Sequence, residues 1–227
     1  MGKRQEIRNK RIKKAQSQRR IVLISVISIS LLISAFVIYQ SQKPVGEIKM
    51  IEEKTRPQTD GLTMGNPDAA VVVEEFSDFQ CIACYRFWSN FEEDLINRYV
   101  ATGDVLFKYV PFSFLGNESF QAAEAAYCAN EQGQFWDYHD TLFLNWNGEN
   151  TGNFSDKRLV AFAGSLGLDE NNFRSCLNSN QYNSEVQEVL RYGKSLGVSA
   201  TPTFSVNGKL VYGDTLFATI DELLGKQ

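Results

Sequence analysis

Histidine and cysteine are scarce in this chain of 227 residues, which contains one histidine and four cysteines. A zinc site usually takes four ligands from these two residue types, typically as two close pairs. Cys81 and Cys84 form one close pair, but Cys128 and Cys176 lie 48 residues apart, and the only histidine is His139. The sequence therefore argues against a metal centre.

The chain also lacks internal repeats and low-complexity tracts. Its length fits one domain with accessory segments rather than two full domains, and a hydrophobic content of 43% is enough for a core. The net charge of −4 conceals an asymmetry, because residues 1–20 hold nine of the 23 basic residues and one of the 27 acidic ones. A basic head precedes an acidic body.

Residues 21–39 lack any charged side chain. As a helix, this segment would span about 28 Å, close to the hydrocarbon core of a bilayer at about 30 Å. A buried core helix rarely lacks every charge. A cleaved signal peptide would have a shorter apolar region that ends in a small-x-small site, which the end of this run, FVIYQSQ, does not offer. We therefore expect an uncleaved, single-pass transmembrane anchor.

The charge distribution around this segment predicts its orientation. By the positive-inside rule, the basic residues 1–20 form a cytoplasmic tail, and the acidic body lies outside the cytoplasm. Bases beside a membrane span usually fix topology, so we expect no nucleic-acid partner. Residues 40–61 are polar and have no sustained period, which predicts an extracytoplasmic linker with a short edge strand over 47–52.

The folded body is expected over residues 62–227 and opens with a strand, a helix and a second strand. Residues 71–76 (VVVEEF) and 105–111 (VLFKYVP) are rich in β-branched and aromatic residues, as strands are. This order predicts a right-handed crossover between parallel strands. The helix between them has one apolar face, which comprises Cys84, Phe87, Trp88, Phe91, Leu95 and Tyr99.

The second half of the body has a different pattern. Residues 116–196 are mostly helical in pattern, and the sheet resumes at 201–213, where Asn207-Gly208 is a strong hairpin signal. Asp214 is expected to cap a final helix. The fold class is therefore α/β, with a mixed sheet flanked by helices and an all-helical insertion.

The pair Cys81–Cys84 has the sequence context of a redox centre. A bridge across so short a loop constrains little chain entropy, so a purely structural staple is disfavoured. Cys81 lies at a helix start, where backbone N–H groups and the helix dipole stabilise a thiolate, and Cys84 lies one turn later on the apolar face. Glu75, on the same strand face as Val71 and Val73, is the candidate proton acceptor; its alternative is a solvated edge position.

These motifs resemble a known family. An acid six residues before a C-x-x-C, a helix after it and a Thr-Pro before a hairpin resemble the thioredoxin fold, and the insertion is similar to that of the DsbA-like thiol–disulfide oxidoreductases. The resemblance covers about residues 62–227. It implies that Pro202 is a cis-proline against the active-site disulfide, although an ordinary trans proline is the alternative. It also implies that the Thr201 backbone pairs with an extended substrate chain.

The chain departs from the best-known family pattern at two places. Ile82-Ala83 separates the cysteines, where strongly oxidising members have a histidine in the second position. Cys128 and Cys176 are additional, and the resemblance to members with such a pair implies a structural disulfide between them. Two free buried thiols or a second redox role are the alternatives. His139 is expected to be structural rather than catalytic.

The resemblance implies a membrane-anchored, extracytoplasmic enzyme that introduces disulfides into exported proteins through Cys81 and Cys84. No cofactor is needed, because the two thiols carry the chemistry. The implied partners are exported proteins with cysteines and a membrane re-oxidant of the DsbB or vitamin K epoxide reductase-like type. One alternative is a reductase or isomerase of the same fold, for example in cytochrome maturation. Another is a tethered binding module in which the bridge is inert.

Overall fold

The computed structural model describes residues 2–42, 45–52, 54 and 56–226, which fall into two compact units, Met1–Gly46 and Glu47–Gln227. The first unit is dominated by helix α1 (Lys3–Gln42). Within it, the 24 residues Gln16–Tyr39 are long and apolar enough to cross a membrane, and they include the expected span 21–39. A membrane anchor and a signal sequence both have this property.

The second unit is built on a six-stranded mixed sheet. Its strands are β1 (Thr59–Asp60), β2 (Thr63–Met64), β3 (Val71–Ser77), β4 (Val105–Pro111), β5 (Thr203–Val206) and β6 (Lys209–Val211). Their order across the sheet is β1-β2-β4-β3-β5-β6. Only β3 and β4 are parallel among these pairs, which confirms the expected parallel pairing of the two strands, and Glu75 lies opposite Tyr109 in their register.

Helices cover the sheet and fill the insertion. The crossover helix runs through α2 (Ile82–Phe87), π1 (Trp88–Glu92), α3 (Glu93–Leu95) and π2 (Ile96–Val100), where π1 and π2 are π-helical turns. The insertion comprises α4 (Asn117–Glu131), α5 (Phe135–Leu144), α6 (Asp156–Ser165), α7 (Glu170–Ser179) and α8 (Asn183–Ser195), and α9 (Gly213–Leu224) follows the hairpin. The mixed sheet with a helical insertion confirms the expected fold class.

The π-helical turns change which side chains of the crossover helix face the core. A π-turn places one more residue in a turn than an α-helix does, so the apolar stripe no longer follows a 3.6-residue period. Phe91 is 50% exposed, whereas its neighbour Glu92 is 2% exposed. The prediction that Phe91 belongs to the buried face is therefore wrong, and a carboxyl group takes the inward position.

The segment before the sheet is bound to the insertion by side chains. The compact unit begins at Glu47, earlier than the expected boundary at residue 62, and β1 already belongs to the sheet. The expected edge strand over 47–52 is wrong. Asn145 satisfies this backbone instead: its Oδ1 accepts from the Lys49 N–H at 2.8 Å, and its Nδ2 donates to the Lys49 carbonyl at 3.0 Å.

The C-terminal hairpin follows its sequence signal. Asn207 and Gly208 both have positive φ, 48° and 84°, as the two central residues of a tight hairpin turn require. The Asn207 side chain also accepts from the Val72 N–H at 2.7 Å, which ties the hairpin to β3. Helix α9 begins after the extended residue Tyr212, so Asp214 lies inside the first turn and is not the cap. The expectation that Asp214 caps this helix is therefore wrong, because the helix begins one residue before Asp214.

The core extends from the sheet into the insertion. Four alanines on one side of α4, Ala122, Ala125, Ala126 and Ala129, are fully buried, which lets neighbouring helices approach closely. A disulfide joins Cys128 on α4 to Cys176 on α7, with Cα atoms 5.9 Å apart and both residues buried. The bridge therefore lies within the packed interior of the insertion.

Candidate active site

The loop after β3 places Cys81 at the start of α2. Cys81 is the residue before the first helical one, and its N–H donates to the Asp78 carbonyl at 2.9 Å. The Cys81 carbonyl accepts from the Tyr85 N–H at 3.0 Å, which begins the helical ladder. The first thiol therefore sits where free backbone N–H groups converge.

Asp78 holds this loop against the insertion, a role that the sequence analysis did not assign. Its buried carboxylate accepts from the Gln80 N–H at 2.9 Å and from the Ser119 hydroxyl at 2.7 Å. It also accepts from the N–H groups of Phe114 and Leu115 at 2.9 and 3.2 Å. Burial raises the pKa of Asp78 from its ordinary value, and these bonds act in the opposite direction.

Gln80 adds a second connection between the motif and the insertion. Its side chain donates to the Ser119 hydroxyl at 2.8 Å and accepts from the Asn150 N–H at 2.5 Å. Its carbonyl accepts from the Trp146 indole at 2.7 Å. The polar residues Asp78 and Gln80 in FSDFQC, directly after an apolar strand, are the sequence feature from which these buried polar contacts could have been predicted.

The two thiols of the motif occupy different environments. Both are free, but Cys81 is partly exposed and Cys84 is fully buried. A hydrogen bond from the Cys84 thiol, aided by the Thr201 side chain and by the N–H groups of Cys84 and Ala83, lowers the pKa of Cys81 to about 6 against the effect of burial. Burial, followed by the hydrogen bond and charge of Cys81, raises the pKa of Cys84 well above its ordinary value.

Glu75 lies in the interior, and its charge adds to burial and to Cys81 in raising the pKa of Cys84. It is 1% exposed, so the alternative of a solvated edge position is wrong. Burial raises the pKa of Glu75 well above its ordinary value, and the charge of Glu92 raises it further. Glu74 points to the other face of the strand and forms an ion pair with Lys108 at 3.1 Å.

Thr201 and Pro202 face the motif from the segment before β5. The peptide bond between them is cis. The Thr201 carbonyl accepts from the Cys81 thiol with 3.4 Å between Sγ and O. The sequence-expected residues Cys81, Cys84, Glu75, Thr201 and Pro202 are thus brought together around one helix terminus.

A groove of about 700 Å³ opens beside Pro202 and Ala83. Three aromatic side chains, those of Phe87, Phe91 and Phe217, line it. Its charged lining residues are Arg86, Asp94, Arg98 and Asp214. An apolar groove with charged neighbours beside the partly exposed thiol can hold an unfolded polypeptide segment.

His139 and the second cysteine pair lie outside this site. His139 is fully buried, and its ring packs against Tyr109 and Phe143 with centroids 4.6 and 5.0 Å apart. Together with Glu92 and Asp140 it forms a cluster of metal-ligand type. The Arg56 guanidinium bonds both carboxylates, so protein cations already compensate the charge of this cluster.

Comparison with known proteins agrees with this geometry. A family model described as Thioredoxin matches residues 58–226. Disulfide bond formation protein D of Bacillus subtilis is 28% identical over 163 residues, which cover 70% of this chain and 72% of that protein. The oxidised BdbD crystal structure from Bacillus subtilis superposes with a TM-score of 0.68 at 27% identity, and covers 75% of this chain and 96% of that one.

A further relative is much longer than this chain. Na(+)/H(+) antiporter NhaA 3 of Salinispora tropica is 31% identical over 153 residues, which are 66% of this chain. The match spans only 22% of the antiporter's length.

The fold and the paired thiols at a helix start define a thioredoxin-fold protein with a C-x-x-C centre. The chain belongs to the thioredoxin family, and within it to the DsbA-like thiol–disulfide oxidoreductases.

Proposed function

We propose that this protein is an extracytoplasmic, membrane-anchored thiol–disulfide oxidoreductase that introduces disulfides into exported proteins. The observation that carries the proposal is the asymmetry of the two thiols. Cys81 is partly exposed at a helix start with its pKa lowered to about 6, and Cys84 is buried with a raised pKa. This is the arrangement that an attacking thiol and a resolving thiol need.

In the oxidising direction, a substrate thiolate attacks Sγ of Cys81 in the Cys81–Cys84 disulfide. A sulfur–sulfur bond forms between substrate and Cys81, and the Cys81–Cys84 bond breaks. The sulfur of Cys84 leaves with the electron pair and takes a proton. A second substrate thiolate then attacks the substrate sulfur of the mixed disulfide, so the substrate is oxidised by two electrons and Cys81 leaves as a thiolate.

Glu75 is the proposed source of the proton that Cys84 takes. A carboxyl group whose pKa is raised by burial is protonated at higher pH than an exposed one, so it can act as a general acid toward a buried leaving thiolate. In the reverse direction, the Glu75 carboxylate takes the proton from Cys84 before that thiol attacks.

Thr201 and Pro202 are proposed to receive the substrate backbone next to Cys81. The Thr201 carbonyl already approaches the Cys81 sulfur, and the aromatic groove continues from Pro202. An extended substrate segment can pair with this backbone while its apolar side chains enter the groove.

The proposed location rests on the first unit. The apolar segment Gln16–Tyr39 and the preceding basic residues support a single span with the N-terminus in the cytoplasm. The spent dithiol then needs an oxidant, and we propose a membrane re-oxidant of the DsbB or vitamin K epoxide reductase-like type. The two thiols supply the chemistry without a cofactor.

One observation favours a reductase or isomerase instead. Ile82-Ala83 supplies no histidine to stabilise the Cys81 thiolate. A thiol pKa of about 6 for Cys81 lies between those of the nucleophilic thiols of DsbA, about 3.5, and thioredoxin, about 7. The reduction potential decides between the directions, because a stabilised thiolate favours the reduced form and so makes the disulfide a stronger oxidant.

The test is the equilibrium reduction potential of Cys81–Cys84 in the full-length protein, measured against glutathione. Reference values are about −270 mV for thioredoxin and about −120 mV for DsbA. A value in the upper half of this range, together with oxidation of a reduced two-cysteine peptide, supports the oxidase. A value near thioredoxin's supports the reductase. No exchange with glutathione at all would mean that the motif is redox-inert.

A further inference from the structure

Several buried polar atoms behind the cysteine motif make no hydrogen bond within the described part of the chain. They belong to Glu75 (Oε2), Ser77 (Oγ), Tyr109 (OH), Glu92 (Oε2) and His139 (Nε2). Buried polar groups are normally paired, so an unpaired one calls for a physical explanation, and a redox or catalytic role is one such explanation. Two of the five residues are carboxylic acids, and one of these, Glu92, has no part in the exchange mechanism above.

A path of neighbouring residues connects the two acids. Glu75 lies opposite Tyr109 across the β3–β4 pair. The Tyr109 ring meets the His139 ring edge-on at 4.6 Å between centroids, and His139 Nε2 lies 3.7 Å from Glu92 Oε2. Glu75 and Glu92 therefore border one buried region, in which Tyr109 and His139 lie between them.

Glu92 is held in this region by a cation from a distant part of the chain. Arg56 is 7% exposed and donates from one guanidinium nitrogen to Glu92 Oε1 at 2.8 Å. Its other terminal nitrogen bonds Asp140, which also accepts from the Trp88 indole at 2.7 Å. The π1 turn directs Glu92 inward, and Arg56 fixes Oε1, so the position of Oε2 beside His139 is set.

We propose that Glu92 is a positioning residue of the redox centre, whose fixed carboxylate sets how firmly Glu75 holds the proton exchanged with Cys84. This role deepens the proposed function and depends on it, because Glu92 does not touch the thiols and acts only through Glu75. In a medium of low dielectric constant, a negative charge on one carboxylate opposes ionisation of another even when side chains lie between them. After burial, the charge of Glu92 is the largest cause that raises the pKa of Glu75.

The other ionisable groups around the two acids fit this role. Around Glu75 they are Cys81, Cys84 and Tyr109, and around Glu92 they are Arg56, His139 and, through Arg56, Asp140. Arg56 holds Glu92 from the side of the incoming N-terminal segment, whereas no cation among the described residues is paired with Glu75. Glu75 is therefore the acid whose proton responds to its neighbour.

The direct test is an infrared titration of the full-length reduced protein in detergent. The carbonyl band of a protonated, buried carboxylic acid is followed against pH in the wild type, and Glu75→Gln identifies the band by its loss. Glu92→Gln should move the midpoint of this band to lower pH. Glu93→Gln, at an exposed neighbour on the same helix, should leave the midpoint unchanged. Glu92→Asp keeps the negative charge, so its midpoint should stay close to the wild-type value.

A kinetic readout separates this role from a structural one. The rate of disulfide opening, normalised to the attacking thiolate, should fall at high pH as Glu75 loses its proton. In Glu92→Gln this fall should begin at lower pH, and in the Glu75→Gln background the Glu92 substitution should cause no further shift. A shift that persists in the Glu75→Gln background, or a folded Glu92→Gln protein with an unmoved carbonyl band, overturns the proposal.

The proposed function can fail separately. If the wild-type protein opens no disulfide, or if Cys81→Ser is as active as the wild type, the exchange mechanism is wrong, whatever the infrared result. If exchange depends on Cys81 but the midpoint of the Glu75 carbonyl band is the same in wild type and Glu92→Gln, only the proposed role of Glu92 is wrong. Should Glu92→Gln unfold, the Glu92→Asp variant decides, because a retained charge predicts a retained midpoint and a purely steric role predicts a lost one.

Discussion

The two cysteine pairs of this protein share a chemistry and differ in nearly everything else. Cys81 and Cys84 are two free thiols on one helix turn, one of them partly exposed. Cys128 and Cys176 are 48 residues apart, bridged, and buried between α4 and α7. The first pair has a carbonyl, a helix start and a buried acid around it, and the second has packed helices.

The difference shows that environment assigns the role of a cysteine. A bridge that closes a long loop removes much entropy from the unfolded chain, whereas a bridge across two residues removes little. Exposure and a lowered pKa make Cys81 available to another thiol, and burial keeps the second pair from exchange. One pair is therefore expected to serve reactivity and the other stability.

The largest expected effect is the loss of exchange activity when the reactive pair is changed. Cys81→Ser should abolish thiol–disulfide exchange, because no sulfur remains at the exposed position. Cys84→Ser should instead accumulate a mixed disulfide through Cys81, which mass spectrometry of non-reduced samples detects. The matched control is Cys128→Ser with Cys176→Ser, which should keep exchange. Full exchange in the Cys81 variant would rule out the mechanism.

The next effect is on stability. Removing the Cys128–Cys176 bridge by the double serine substitution should lower the free energy of unfolding by about 4 kcal/mol, as the chain-entropy model gives for a loop of about fifty residues. Urea unfolding of the wild type and the variant measures the difference. An unchanged midpoint would show that the second pair contributes no stability, and the assignment of one pair to reactivity and the other to stability would then be wrong.

A smaller effect concerns the acid behind the motif. Glu75→Gln keeps the shape and removes the proton exchange, so the opening of the Cys81–Cys84 disulfide should slow by about 10²-fold, at the low end of general acid catalysis. Stopped-flow fluorescence of disulfide opening by a small thiol measures the rate. Glu74→Gln is the matched control, since Glu74 points to the other face and pairs with Lys108. Equal rates in wild type and Glu75→Gln would exclude Glu75 as the acid.

The smallest expected effect tests whether the two pairs are independent. Loss of the Cys128–Cys176 bridge should change the reduction potential of Cys81–Cys84 by less than about 30 mV, which corresponds to about 1.4 kcal/mol for a two-electron couple. Glutathione titration of the double serine variant gives the value. A larger shift would mean that the insertion bridge tunes the redox centre, and the division of roles would not hold.

The sequence predicted the parts of the site that follow from local rules. The β-branched strand over residues 71–76, the helix start at Cys81 and the Asn207-Gly208 turn each depend on neighbouring residues, and the structure has them. The burial of Glu75 followed from its alternation with Val71 and Val73.

What the sequence did not predict depends on distant contacts. The inward position of Glu92 arises from a π-turn, which has no period of its own, and is balanced by Arg56 from a segment expected to be a linker. The buried hydrogen bonds of Asp78 and Gln80 depend on backbone N–H groups of the insertion. Such partners become visible only when the chain is folded.

The lowered pKa of Cys81 also fixes a pH dependence for the reduced protein. The ordinary thiol pKa of 9.0 applies in the unfolded chain, and about 6 applies in the folded one. A group with a depressed folded pKa stabilises the native state fully above its unfolded value, and this stabilisation is lost as the pH falls through the folded value. The reduced form should therefore lose stability relative to the oxidised form between pH 9 and pH 6.

The most direct test of the account is a pH titration of thiolate ultraviolet absorbance in the full-length reduced protein, with the Cys128–Cys176 bridge intact. One thiol should ionise with a midpoint of about 6 and be absent in Cys81→Ser, and the second should stay protonated beyond pH 9.0. Two thiols that ionise together near 9.0 would contradict it, because the two environments would then not distinguish the attacking cysteine from the resolving one.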